Sequence, residues 1–222
     1  MPPLILPGVR AALAANAEIT VVALGSSSTQ GARASDIAHS YPAVLQAELS
    51  AALPHAHIAV LNRGVGGQDV AEMLPRLERD ALQAQPTLVI WQVGANGAIR
   101  RADPVVFRDM VESGVMRLRG AGIDVVLMDN QRAPAILASP EHIRIAQALA
   151  DIAAKTGAGL FGRGRLMDQW QQDGHPYTEF MSPDGLHHND AGYRCVAKAL
   201  AGAILQGLGL VMDSVASAAV RR

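Results

Sequence analysis

The sequence predicts one α/β domain: a parallel sheet of five short strands with helices on both faces. Three observations carry this. Apolar runs of strand length recur along the chain. The runs are continuously apolar, as strands buried on both faces are, rather than alternating. Between them lie longer amphipathic stretches with readable helix starts, so strand and helix alternate from end to end.

The elements follow in order. Residues 1–18 (MPPLILPGVRAALAANAE) read as an N-terminal extension leading into an amphipathic helix. Their likeness to a signal peptide is faint, because a basic first segment is missing and Pro7 and Arg10 interrupt the apolar core. The predicted strands are Ile19–Leu24, His57–Leu61, Leu88–Val93, Asp124–Met128 and, weakest, Gly159–Phe161. Ser40-Tyr41-Pro42, Asp103-Pro104 and Ser139-Pro140-Glu141 announce helices. In the last two, a side-chain acceptor at the N-cap precedes a proline at the first helical position, where no N–H is needed. Asn189–Leu205 supplies the final helix, with Val196, Leu200 and Ile204 directed inward. The domain is expected over 19–206, followed by an apolar tail, 207–222, that covers a sheet edge, mediates dimerisation or frays.

Composition narrows the function. Half of the 222 residues are hydrophobic and 18% are charged, which excludes global disorder. With 19 basic against 20 acidic side chains, there is no cationic excess for nucleic-acid binding. No uninterrupted apolar run reaches the roughly 18 residues of a membrane-spanning helix. The single cysteine, Cys195, excludes an intramolecular disulfide and reads as a small buried hydrophobe. The sequence leaves the compartment open between cytoplasmic and, if the chain is trimmed from a longer precursor, periplasmic or secreted.

Ligands of open parallel sheets bind beyond the carboxyl ends of the strands. The polar, glycine-rich clusters fall at those ends: Gly25–Gly31, Asn62–Asp69, Gly94–Gly97 and Asp129–Gln131. Gly25–Gly31 (GSSSTQG) lacks the spacing of a P-loop or a dinucleotide fingerprint, and Thr29 excludes the G-x-S-x-G elbow. It reads as a helix cap, a phosphate-cradling turn, or a serine nucleophile facing a helix N-terminus. Asp184 and His187 are three residues apart in SPDGLHHNDAGY, a spacing that lets a carboxylate orient an imidazole. The same cluster also reads as a cap with surface histidines or, with His188 and Asp190, as a thin metal set.

In order, Gly25-Ser26-Ser27, the Asn62–Gly67 stretch, Gly94-Ala95-Asn96-Gly97 and Asp184-Gly185-Leu186-His187 resemble the four blocks of the SGNH hydrolases, also called the GDSL esterase/lipase family. The resemblance spans roughly residues 19–205. It implies a flavodoxin-like three-layer α/β/α sandwich and a serine esterase acting on small or short-acyl carboxylic esters. It assigns Ser27 as nucleophile, His187 as base and Asp184 as its orienting acid. The Ser27 N–H, the Gly67 N–H and the Asn96 amide become the oxyanion donors. No metal and no organic cofactor is implied. A lysophospholipase or thioesterase on the same fold, or a non-catalytic ligand-binding protein, are the alternatives. Two positions depart from the blocks: Ser26 and Gly97 stand where the family carries acids, so this chain needs its own way to brace those loops.

Aromatic residues are scarce, at 4%. Trp170, Tyr177, Phe180 and Met181, in the irregular stretch before the Asp184 loop, are read as one substrate wall or as a satellite core. Asn130 and Gln131, after the fourth strand, are read as the opposite wall or as turn residues.

Overall fold

The period of two along a strand decides the layering. In the computed structural model, which describes residues 3–210, the apolar runs form β1 (Ile19–Gly25), β2 (Ile58–Gly64), β3 (Leu88–Gln92), β4 (Asp124–Met128) and β5 (Gly159–Phe161). All pair in parallel, in the order β2-β1-β3-β4-β5. Successive side chains point to opposite faces. Val22, Leu24, Val89, Trp91, Val125 and Leu127 therefore join one core with Phe107, Val111, Ile145 and Leu149, from helices Pro104–Gly120 and His142–Thr156. Val21, Ala23, Leu88, Ile90, Val126 and Met128 join the other with Leu45 and Leu49 of Tyr41–Ala52 and Val196, Leu200 and Ile204 of Asp190–Gly207. This is the expected three-layer sandwich.

Several local expectations shift. β2 runs on to Gly64, because its pairing with β1 continues through Gly25 opposite Gly64. Asp103 caps its helix as anticipated, accepting from the Val105 and Val106 N–H groups at 2.8 and 3.3 Å. Ser139-Pro140 does not open the next helix. That helix begins at His142, and Ser139 Oγ accepts from the Glu141 N–H in the turn before it. Cys195 is half-buried rather than buried.

Within the first 18 residues, Pro7–Ala14 is helical, and Leu4, Leu6 and Val9 are buried in the second core. The Val9 N–H donates to Asp124 Oδ2 at 2.9 Å, tying this segment to the start of β4. The last helix ends at Gly207. Residues 211–222, with most of the expected tail, lie outside the described residues. Among the described residues no helix is long and apolar enough to cross a membrane.

Candidate active site

The strand order reverses direction between β1 and its neighbours β2 and β3, which opens a crevice at their carboxyl ends. The chain leaves β1 there at Gly25 and enters a single helical turn, Ser27–Gln30. Ser26, Ser28 and Thr29 are buried, while Ser27 is partly exposed toward the crevice. The Asn62–Asp69 segment leaves β2 alongside it. At Gly64 a Cβ would stand 2.0 Å from the Gln30 backbone nitrogen, so only glycine lets the two loops run this close.

The Asp184–His187 segment reaches the same crevice from the far end of the chain. His187 Nε2 lies 2.8 Å from Ser27 Oγ, and His187 Nδ1 lies 2.8 Å from Asp184 Oδ2. Asp184 Oδ1 accepts from Ser182 Oγ (2.7 Å), the Leu186 N–H (2.9 Å) and the His187 N–H (3.0 Å). Burial alone would raise the Asp184 pKa. The hydrogen bonds from the His187 backbone and ring, from Leu186 and from Ser182 outweigh it and hold the carboxylate well below its usual range. The acid is thus ionised, with its Oδ2 turned to the imidazole. That fixes the proton on Nδ1 and leaves Nε2 free to accept from the serine hydroxyl.

The Asn62–Asp69 loop passes close to Ser27, where a Cβ at Gly66 would stand 3.9 Å from Ser27 Cβ. The Ser27 and Gly67 N–H groups have no acceptor among the described residues. Gly67 has φ +80° in the turn closed by the Gln68 N–H and the Val65 carbonyl, a conformation that favours glycine. The peptide that follows it is held by Arg100 Nη2, 2.7 Å from the Gly67 carbonyl. Asn96 Nδ2 donates to the Gln68 carbonyl at 2.8 Å, which sets the amide beside Gly67 and leaves a second N–H on the same nitrogen.

His187, His188 and Asp190 do not converge as metal ligands. His188 Nδ1 donates to the Phe180 carbonyl at 3.1 Å, and Asp190 accepts from Ser35. His188 is not a surface residue either. It is fully buried, edge-on to Tyr193, and burial followed by the nearby charge of Arg163 pushes its pKa down to about 3. No group of three or more His, Cys, Asp or Glu side chains is arranged for a metal among the described residues.

The expected walls divide. Tyr177 and Met181 line a cavity of about 400 Å³ with Arg132, Pro134, Ser182 and Pro183, on the flank of the Asp184 loop. Trp170 and Phe180 pack on each other instead, ring centroids 4.4 Å apart, and Trp170 leans on the cores of both faces. Gln131 is 2% exposed and spent inside the protein: it accepts from Arg163 Nη2 at 2.6 Å and donates to the Leu186 carbonyl at 2.9 Å. It braces the Asp184–His187 loop from within rather than facing a ligand. Asn130 is likewise buried, with no partner for either amide atom among the described residues.

Three bracing residues escaped the sequence reading. Gln92, at the end of β3, accepts from the Ser26 N–H and Ser26 Oγ, both at 3.0 Å. Arg76 is buried and donates to the Gly25 and Arg63 carbonyls at 2.9 Å, joining the β1 and β2 loops. Arg33 donates to Asp184 Oδ2 at 2.9 Å. Only Gln92 left a trace in the sequence, as a polar residue inside an otherwise apolar run.

Comparison with known proteins agrees with this architecture. A two-domain esterase active on acetylated mannans is 22% identical, with a TM-score of 0.78 over 92% of this chain and 54% of that one. The chain therefore spans about half of that protein. The psychrotrophic esterase EstA from Pseudoalteromonas sp. is 20% identical, with a TM-score of 0.73 over 86% of this chain and all of the other. The acetylxylan esterase Axe2 from Geobacillus stearothermophilus is 19% identical, with a TM-score of 0.72 over 87% and 96% of the two chains. At these identities the likeness is one of fold. No curated protein matches by sequence. The family model described as Non-GDSL lipase-like, however, matches residues 2–210. The chain belongs to that family.

Proposed function

We propose that this chain is a serine esterase that hydrolyses carboxylic esters of small or short acyl groups through an acyl-enzyme on Ser27. One observation carries the reading. A hydroxyl, an imidazole and a carboxylate, drawn from opposite ends of the chain, form an unbroken line of hydrogen bonds of 2.8 Å each at the sheet's switch point.

In the mechanism, His187 Nε2 takes the Ser27 proton as Oγ attacks the ester carbonyl. Asp184 stabilises the imidazolium without taking its proton. The negative charge that develops on the carbonyl oxygen is met by the Ser27 N–H, the Gly67 N–H and the Asn96 amide. Collapse of the tetrahedral species breaks the bond to the alkoxy oxygen, which leaves as the alcohol with the proton from His187. Water, deprotonated by the same imidazole, then attacks the acyl-enzyme and releases the carboxylic acid and free Ser27. No step uses a metal or an organic cofactor. The cavity beside Tyr177 and Met181, with Arg132 at its edge, has room for a short substituent of the ester.

The test is a chain-length series of p-nitrophenyl esters, with a thioester, a lysophospholipid and an acetylated oligosaccharide in the same panel, assayed on the unaltered chain and on Ser27→Ala. Turnover is expected to be highest for short acyl groups and to fall by at least about 10⁴-fold in Ser27→Ala. A fluorophosphonate probe is expected to label Ser27 only. Turnover that survives Ser27→Ala defeats the proposal.

A further inference from the structure

The SGNH resemblance leaves a gap at position 26, where an acid is replaced by Ser26. Ser26 is the residue from which the Ser27–Gln30 turn starts. Its backbone N–H and its hydroxyl both donate to Gln92 Oε1 at 3.0 Å, and the Thr29 hydroxyl donates to the same oxygen at 3.2 Å. One carbonyl oxygen thus holds both ends of the turn that presents Ser27. Its orientation is settled by the Ser26 N–H, which can only donate and so must face the oxygen of the carboxamide. Because Thr29 gives its proton to Gln92, Tyr41, 3.2 Å from Thr29 Oγ1, is the donor in that pair, which extends the chain into the core. Gln92, Ser26, Thr29 and Tyr41 are each 2% exposed or less, so water is no substitute partner. Gln92 Nε2 has no partner among the described residues; the oxygen alone ties the carboxamide to the turn.

We propose that Gln92 is a positioning residue for the nucleophile: from the floor of the sheet it sets the height and direction of the Ser27 turn, the task left open by the missing acid at position 26. The assignment rests on the esterase reading of the site. Gln92 touches no reacting atom and acts through Ser26 and Thr29. Without the acceptor, three buried donors at the two ends of a four-residue helix lose their shared partner. The Thr29 hydroxyl can turn to Tyr41, but the Ser26 N–H regains a partner only if the turn moves. A displacement of about 1 Å at a reacting atom costs about 10²-fold in rate.

The test compares Gln92→Leu, which removes the acceptor at similar volume, with Gln92→Glu, which restores acceptor oxygens. In a folded Gln92→Leu chain, kcat on a short-acyl p-nitrophenyl ester is expected to fall about 10²-fold with KM within about threefold. The rate of fluorophosphonate labelling of Ser27 should fall in parallel, and Gln92→Glu should recover most of both. A folded Gln92→Leu chain with kcat within twofold of the unaltered protein overturns the proposal. So does a fall that Gln92→Glu leaves unrepaired. If Gln92→Leu does not fold, Ser26→Ala combined with Thr29→Val removes two of the three donors and leaves the carboxamide in place. A kcat loss of about tenfold then supports the role, and unchanged kcat refutes it. Absence of Ser27-dependent turnover in the unaltered chain sinks the esterase reading and this role together. Turnover indifferent to residue 92 sinks the positioning role alone.

Discussion

The two halves of the site are held in opposite ways. The nucleophile turn is gripped from outside by the core: Gln92 beneath it, Arg76 on the Gly25 carbonyl, and the Asn62–Asp69 loop pressed so closely that Gly64 admits no side chain. The base loop holds itself. The Ser182 N–H bonds to the His187 carbonyl at 2.8 Å, and a single carboxylate, Asp184, gathers Ser182, Leu186 and His187 around it. The rest of the protein reaches it through Gln131 below and Arg33 at the side. The contrast is one of sequence distance. The nucleophile must stand over the sheet, where distant segments already converge. The imidazole must arrive from an irregular loop, and contacts over two to five residues suffice to shape it.

Asp184→Asn gives the largest expected effect. It replaces the anion on which both the loop and the imidazole depend. The amide cannot accept on both sides, so Nδ1 loses its acceptor and the ring can adopt the wrong tautomer. We expect kcat to fall by about 10⁴-fold. Amide hydrogen exchange at Leu186 and His187 should accelerate while β1 is unaffected. Acceleration spreading to Ser26–Gln30 would show that the two halves are not separately held.

Asn96→Ala probes the opposite half. It removes the amide proposed as an oxyanion donor, for an expected loss of about 10²–10³ in kcat. Arg100 still holds the Gly67 carbonyl and with it the Gly67–Gln68 peptide, so melting temperature should change little. Unchanged ester turnover in the folded variant excludes Asn96 from the oxyanion site.

The third prediction concerns what lies beneath the base loop. His188 is buried and neutral, with its pKa pushed down to about 3 by burial, against about 6.5 in an unfolded chain. Between these values the unfolded chain binds a proton that the folded chain refuses. Stability therefore falls as pH drops from about 6.5 toward 3, by roughly 1 kcal/mol per pH unit for one proton. Urea unfolding at pH 6.5 and 4.5 checks this, a window above the range where the depressed carboxylates Asp80 and Asp184 add their own loss. His188→Gln should flatten the dependence. The same loss in the variant assigns the effect elsewhere.

The same contrast explains what the sequence could reveal. The strands were legible because burial on both faces imposes a continuous apolar run. Ser27, Asp184 and His187 stood out as candidates because each lies in a short block of near neighbours. Braces acting across the fold were not. Arg76 lies 51 residues from the carbonyl of Gly25, in a segment of broken helical turns that carries no pattern of its own. Gln131 was placed on a substrate wall because a polar residue after a strand does not declare which way it points. Its partners Arg163 and Leu186 lie 32 and 55 residues away. The start of the helix at His142 was misplaced because Ser139-Pro140 has the composition of a cap, while the chain makes one further turn before the helix begins.

The smallest expected effect cuts most directly at the contrast. Arg33 has φ +69°, an uncommon backbone conformation for a side-chain-bearing residue, and its guanidinium bridges the nucleophile-side loop to Asp184. On geometry alone it looks essential to joining the halves. Its side chain, however, is 63% exposed, and an exposed ion pair in water contributes little. Asp184 already has four other donors, from Ser182, Leu186 and the His187 backbone and ring, that place it without help. Arg33→Gln should therefore change kcat/KM by no more than about threefold, and salt should shrink even that difference because it screens exposed charges. A loss of tenfold or more that persists at high salt would mean that the base loop depends on the nucleophile side for its position, and that its local hydrogen bonds alone do not hold the imidazole against Ser27.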